Sequence, residues 1–186
     1  MKILRDNSFA GFLVRFGLIF IVCYYGSLAV IGLSAPGKHY SPFVAEHLNF
    51  IGWIRASLLW GTGKLLSLFG IATFKLDDYV LRKVNGRGIR MVYECIGYGV
   101  MSFWIAFVGA SEGPFKKRFI WIIGGLLAIW TINVIRLSLV LTAVNNNWSF
   151  PLGLDHHTWF NIVAYLFIFG MIFLFNKKGN RLPEQN

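Results

Sequence analysis

Long apolar runs alternate with short polar segments along this chain. Four of these runs, at residues 9–33, 91–110, 119–144 and 156–175, are separated by segments rich in basic and turn-forming residues. A helix needs about 20 predominantly apolar residues to cross the hydrocarbon core of a bilayer. The pattern therefore predicts an all-α membrane protein with about four transmembrane helices.

A fifth apolar segment, at residues 41–72, fits this scheme less well. It is long enough to cross a bilayer, but it contains Arg55 and Lys64. Each of these would cost about 2.5–3.5 kcal/mol at the centre of a membrane-spanning helix. Lying along the membrane surface avoids most of this cost. We therefore predict an interfacial or re-entrant helical segment on the outer face.

Residues 79–92 have a different pattern, in which basic and apolar residues are mixed. Asn85 and Gly86 stand at the centre of this segment. Asn-Gly is typical of the tightest hairpin turns, because both central residues of such a turn need positive φ. The sequence predicts a short β-hairpin directly before the second span, as the only β structure in the protein.

Composition and charge agree with a membrane location. Of the 186 residues, 56% are hydrophobic and 14% are charged, whereas soluble domains have about 25% charged residues. We predict one membrane domain over residues 1–186. The net charge of +10 is explained by basic loops and tails that set topology and contact the anionic headgroups of the lipid bilayer. We therefore expect no nucleic-acid partner.

The predicted topology brings three chemically reactive positions to one membrane face. Cys95 begins the second span, Arg136 lies toward the end of the third, and His156 and His157 open the fourth. Since consecutive spans run in opposite directions, all of these positions belong to the same side. The chain termini and the segment 116–118 lie at the other ends of these spans, and all three are basic. Basic segments favour the inner side of a membrane, which places the reactive positions on the outer side.

A thiol, a guanidinium and an imidazole together point to nucleophilic catalysis. The thiolate is the nucleophilic form of cysteine, and nearby positive charge favours it. Arg136 would stabilise this thiolate or the oxyanion of a tetrahedral intermediate. One of the two histidines would act as general base and acid. Asn133, three residues before Arg136, would orient it, and Glu94 or Asp155 would orient a histidine.

Each of these residues also has a structural explanation. An isolated cysteine in an apolar segment is usually packed in a core, and we assign this role to Cys23. Arg136 could extend toward the membrane surface or bind helix-end carbonyls. The two histidines could form a hydrated interfacial pair. No CxxC or histidine-rich spacing is present, so no metal site is predicted.

The ordered set of motifs resembles the exosortase/archaeosortase family, and in particular its short members of Bacteroidetes type. The resemblance covers about residues 80–175. It rests on Glu94-Cys95-x-Gly97, on Asn133-x-x-Arg136, and on a histidine at the head of the last span followed by Phe160, Asn161 and Tyr165.

Members of this family are membrane transpeptidases with a Cys-Arg-His site on the outer face of the membrane. The resemblance implies that Cys95 is the acyl-thioester nucleophile and that Arg136 is the proton donor or oxyanion stabiliser. Ile96 departs from the serine or threonine that many members have there. The spacing to Asn161 favours His157 as the catalytic histidine, whereas the spacing to Phe160 and Tyr165 favours His156; we favour His157.

The resemblance also implies a location and a set of partners. The location would be the bacterial inner membrane, with the site on the periplasmic face. The substrate would be a membrane-anchored protein with a C-terminal sorting segment, and the candidate acceptor is a glycolipid or polysaccharide. No cofactor is implied. Two rival functions remain open, namely a non-catalytic membrane scaffold and a small transporter subunit that binds an anion through Arg136.

Overall fold

The computed structural model describes residues 9–37, 39–148 and 156–177, and for residues 156–161 it describes the backbone only. Helices are the main elements, and a small sheet lies between the third and the fourth. In chain order the elements are α1 (Phe9–Ser34), α2 (Pro42–His47), α3 (Phe50–Leu68), β1 (Thr73–Lys75), β2 (Val80–Lys83), β3 (Gly88–Arg90), a 3-10 helix (Tyr93–Ile96), α4 (Tyr98–Ala110), α5 (Phe115–Asn146) and α6 (His156–Lys177).

Helices α1 and α5 are long and apolar enough to cross a membrane. They contain 26 and 32 residues, or about 39 and 48 Å at 1.5 Å per residue. In the most apolar part of α1 only 6% of the residues are buried within the protein. Large apolar side chains such as Leu18, Ile21 and Val22 are exposed on its surface. Such a surface is typical of a protein that contacts lipid or another apolar partner.

The second predicted span differs from the observed structure at its beginning. Helix α4 begins at Tyr98 and has 13 residues, because residues 91–97 form two non-helical residues, a 3-10 helix and a left-handed glycine instead. It is about 20 Å long, shorter than the 30 Å core of a bilayer. In α6, the part with described side chains, residues 162–177, is likewise a shorter apolar helix. Four transmembrane helices therefore stay a prediction.

The basic segment 116–118, which the hydrophobic pattern placed outside the third span at 119–144, belongs to the first turn of α5, which begins at Phe115. Arg118 Nη1 donates hydrogen bonds to the carbonyl oxygens of Gly109 (2.9 Å) and Ser111 (3.4 Å). These carbonyls stand at the end of α4, where the helix leaves them without partners. Arg118 thus stabilises the short connection between α4 and α5.

The predicted hairpin is present, but it belongs to a larger sheet. Strand β2 pairs with β3 in antiparallel register, with Leu81 opposite Ile89. Of the two turn residues only Asn85 has positive φ, at 57°, so the predicted turn type was wrong. Strand β1, which the sequence did not indicate, pairs with the other edge of β2. Its three residues are too few to show the alternation of apolar and polar residues that predicts a strand.

Residues 41–72 contain two helices, α2 and α3, in place of one continuous helix. Helix α3 packs along α5 and also contacts the sheet and the 3-10 helix. Its Arg55 is buried, whereas Lys64 is exposed. The position of this segment relative to a membrane stays a prediction.

The buried apolar side chains form two clusters. One lies between α1, α4, α5 and α6 around Trp104, Phe107 and Phe175. The other joins α3, the sheet, the 3-10 helix and the second half of α5. Cys95 and Ile96 belong to this second cluster, which therefore holds the candidate site.

Candidate active site

Cys95 lies on the 3-10 helix between the sheet and α4. Its backbone N–H donates to the carbonyl of Val92 over 3.0 Å. The side chain is 7% exposed, and it is a free thiol. The sequence placed Cys95 at the start of a transmembrane helix; the structure places it in the short turn before that helix, at the edge of the second core cluster.

Arg136 reaches this thiol from the middle of α5. Its Nη2 lies 3.2 Å from Cys95 Sγ, at hydrogen-bond distance. The two residues are 41 positions apart in the sequence. The guanidinium can donate a charge-assisted hydrogen bond to the sulfur at this distance, and such bonds are stronger than neutral ones. The predicted pairing of these two residues is therefore present in the structure.

Asn133 binds the turn that carries the cysteine. Its Nδ2 donates a hydrogen bond to the carbonyl oxygen of Ile96 over 3.2 Å. Since Asn133 and Arg136 are three residues apart on one helix, they lie on the same side of α5. One face of α5 therefore holds both the backbone and the thiol of this turn. The predicted contact between Asn133 and Arg136 stays a prediction.

Gly97 ends the 3-10 helix with a left-handed conformation, at φ 81° and ψ 22°. A β-carbon at this position would lie 2.8 Å from Asn133 Nδ2. Both the backbone angle and the close approach of Asn133 therefore require glycine. This explains the glycine two residues after the cysteine without any direct role in chemistry.

The remaining predicted site residues are not brought to the thiol by the described structure. Glu94 is exposed on the 3-10 helix. Helix α6 begins at His156, but the side chains of His156 and His157 lie outside what the structure describes, as does all of Asp155. Their proposed roles stay predictions.

Arg55 is a residue near the site that the sequence reasoning did not assign to it. It is 7% exposed, and its guanidinium carbon lies 3.8 Å from the ring centroid of Tyr79 and 5.5 Å from that of Tyr93. Tyr93 opens the 3-10 helix that carries Cys95. The available signal was an arginine inside an apolar run, the same signal that drew attention to Arg136.

Within the described part of the chain, no three residues among His, Cys, Asp and Glu are close enough together to hold a metal ion. The described site contains a thiol and a guanidinium. These groups can attack a carbonyl carbon and stabilise the negative charge that develops on its oxygen.

Comparison with known proteins gives one partial similarity. A stretch of 64 residues, 34% of this chain, is 30% identical to archaeosortase A of Natronomonas pharaonis. This stretch is 20% of the length of archaeosortase A. No protein-family model matches the chain, and no solved structure matches it. The similarity suggests a relationship with the archaeosortases over part of the chain.

Proposed function

We propose that this protein is a membrane-embedded cysteine transpeptidase or peptidase of exosortase type. The observation that carries this proposal is the 3.2 Å contact between Arg136 Nη2 and Cys95 Sγ. A merely packed cysteine does not need a guanidinium, and a part-buried arginine on an apolar helix is costly unless it has a partner. The partial similarity to archaeosortase A supports the same reaction class.

The proposed reaction has two acyl-transfer steps. The Cys95 thiolate adds to a peptide carbonyl, and Arg136 stabilises the resulting oxyanion. The C–N bond then breaks, and the amine leaves with a proton from a general acid, for which we favour His157 over His156. An acceptor amine or water next attacks the thioester and loses a proton to the same histidine. The C–S bond breaks, and the thiolate is regenerated.

The proposed substrate is a membrane-anchored protein with a C-terminal sorting segment. Its own transmembrane helix would lie beside the apolar helices of this protein, so that the scissile bond reaches the level of Cys95. We propose four spans in the bacterial inner membrane, the site on the periplasmic face, and a glycolipid or polysaccharide as acceptor. Such a location limits water around the thioester, and limited water favours transfer over hydrolysis.

The test compares the C-termini of membrane-associated proteins in cells that produce wild-type protein, Cys95→Ala or Cys23→Ala. We expect a set of proteins to lose a C-terminal segment with wild type and with Cys23→Ala, and to keep it with Cys95→Ala. We also expect hydroxylamine, which cleaves thioesters, to release a peptide from Cys95 in the wild type. Identical C-termini in all three strains would overturn the proposal and favour the scaffold alternative.

A further inference from the structure

Arg55 is the most unusual charged residue in the described part of the chain outside the Cys95–Arg136 pair. It is 7% exposed, and its Nε and Nη1 have no hydrogen-bond partner. Among the described residues, Lys75 and Asp78 form an ion pair, but Arg55 forms none with a carboxylate. A buried charge without a carboxylate partner is expensive, so some other interaction must compensate for it.

Two tyrosine rings supply that interaction. The Arg55 guanidinium carbon lies 3.8 Å from the Tyr79 centroid, which is stacking distance, and 5.5 Å from the Tyr93 centroid. Cation–π attraction is strongest where water is excluded, as it is around this side chain. Arg90, which is exposed, lies 5.6 Å from the same Tyr79 ring.

The two tyrosines are also in contact with each other. Their hydroxyl oxygens are 3.4 Å apart, and their rings meet edge to face at a centroid distance of 6.3 Å. Tyr79 ends the loop between β1 and β2, where Asp77 Oδ1 accepts hydrogen bonds from the N–H groups of Tyr79 (2.6 Å) and Val80 (2.8 Å). The loop therefore holds Tyr79 in a defined position.

Tyr93 belongs to the same 3-10 helix as Cys95. A 3-10 helix of four residues is short, and its position depends on its outside contacts. Helix α5 binds it through Asn133 and Arg136. A second set of contacts is made by Tyr93, which meets Arg55 from α3 and Tyr79 from the loop before β2.

We propose that Arg55 is a positioning residue for Cys95. Through Tyr79 and Tyr93 it holds the 3-10 helix by contacts separate from those of Asn133 and Arg136, and thereby keeps the thiol at hydrogen-bond distance from Arg136. The role of Cys95 as nucleophile rests on the proposed function, but the positioning of its thiol does not. Without Arg55, the turn can move away from α5, and the contact between Cys95 and Arg136 is lost.

The test is a double-mutant cycle on the rate at which Cys95 is alkylated by iodoacetamide. All variants carry Cys23→Ala, so that Cys95 is the only thiol, and the folded fraction of each is measured in the same detergent. The cycle consists of the parent, Arg55→Met, Arg136→Gln and the double variant. Cycles of this kind isolate the coupling between two residues from their separate effects.

We expect Arg136→Gln to change the rate by about 10-fold or more in the parent, because it removes a charge-assisted hydrogen bond. In the Arg55→Met background we expect less than about a 2-fold further change, since that bond is already broken. Arg55→Lys should restore part of the coupling, because an ammonium also binds an aromatic face. Lys64→Met, which removes an exposed charge from the same helix, is the matched control. In that background Arg136→Gln should change the alkylation rate as much as it does in the parent.

Equal effects of Arg136→Gln in both backgrounds would overturn the proposal, as would an unchanged rate in folded Arg55→Met. If Arg55→Met does not fold, Tyr79→Leu takes its place in the cycle, since it keeps the charge and removes the ring on which Arg55 stacks. Equal effects of Arg136→Gln in both backgrounds, or an unchanged rate in folded Tyr79→Leu, would then overturn the proposal. The cycle needs no peptide substrate, so a failed transpeptidase test and a failed positioning test are distinguishable.

Discussion

Asn133 Nδ2 donates a hydrogen bond of 3.2 Å to the carbonyl oxygen of Ile96, and this contact leaves no room for a side chain at the next residue. A β-carbon on residue 97 would lie 2.8 Å from the same nitrogen atom. One side chain of α5 therefore both binds the cysteine-bearing turn and restricts the residue type that ends it.

Gly97→Ala is expected to destabilise the protein by about 2 kcal/mol, because alanine in a left-handed conformation costs about 1–2 kcal/mol and its methyl group also displaces Asn133. Thermal unfolding in detergent measures this change. Gly99→Ala is the matched control, since its β-carbon would be 3.5 Å from a carbon of Tyr24, an ordinary contact. Equal stability of the two variants would contradict the explanation given for Gly97.

Arg136→Gln is expected to slow the alkylation of Cys95 at neutral pH by about 10-fold or more, since a charge-assisted hydrogen bond contributes about 1.5–3 kcal/mol. The measurement is the iodoacetamide rate in a Cys23→Ala background. Arg118→Gln is the control on the same helix, because Arg118 donates to Gly109 and Ser111. Wild-type labelling of Arg136→Gln would show that the guanidinium does not activate the thiol.

Asn145→Ala is expected to loosen the hairpin of β2 and β3. Asn145 Oδ1 accepts from the Arg87 N–H over 2.8 Å, and its Nδ2 donates to the Arg87 carbonyl over 3.2 Å. With about 1 kcal/mol for each of these two hydrogen bonds, amide exchange in residues 80–90 should become roughly 30-fold faster, since about 1.4 kcal/mol corresponds to a factor of 10. Thr131→Ala, which removes an exposed hydroxyl bonded to Leu127, should leave that exchange unchanged.

Gly125→Ala and Gly124→Ala are expected to differ sharply although the two residues are neighbours. A β-carbon on Gly125 would clash with the indole nitrogen of Trp104, whereas one on Gly124 would meet nothing within 4 Å. Trp104 is fully buried and donates to the Trp121 carbonyl over 3.1 Å. Overpacking of this kind costs about 1–3 kcal/mol, which should lower the melting temperature of Gly125→Ala alone.

Several element boundaries were predictable because they depend on local chemistry. The first helix, at Phe9–Ser34, agrees closely with the apolar run at 9–33. Helix α4 ends at Ala110, directly before the polar and turn-forming residues 111–114. The boundaries that failed are those at which polarity and backbone do not change together. At residues 91–97 an apolar run continues through a change of backbone, and at 116–118 the helix continues through a change from polar to apolar residues.

The sequence by itself determined the long apolar helices and the hairpin turn region. Hydrophobicity and turn preference are properties of neighbouring residues, and they act before distant segments meet. It also selected Cys95 and Arg136 as a pair, since an arginine inside an apolar run needs a partner and the predicted topology brought both residues to one membrane face.

Only the tertiary structure decided that the thiol sits on a 3-10 helix, that Asn133 holds this helix, and that Arg55 reaches it from α3. These contacts join segments that are far apart in the chain, and they depend on how whole helices and strands fit together. Strand β1 is a further case, because it exists through its pairing with β2. Local preference cannot specify such contacts, since it contains no information about which distant side chain will fill the neighbouring space.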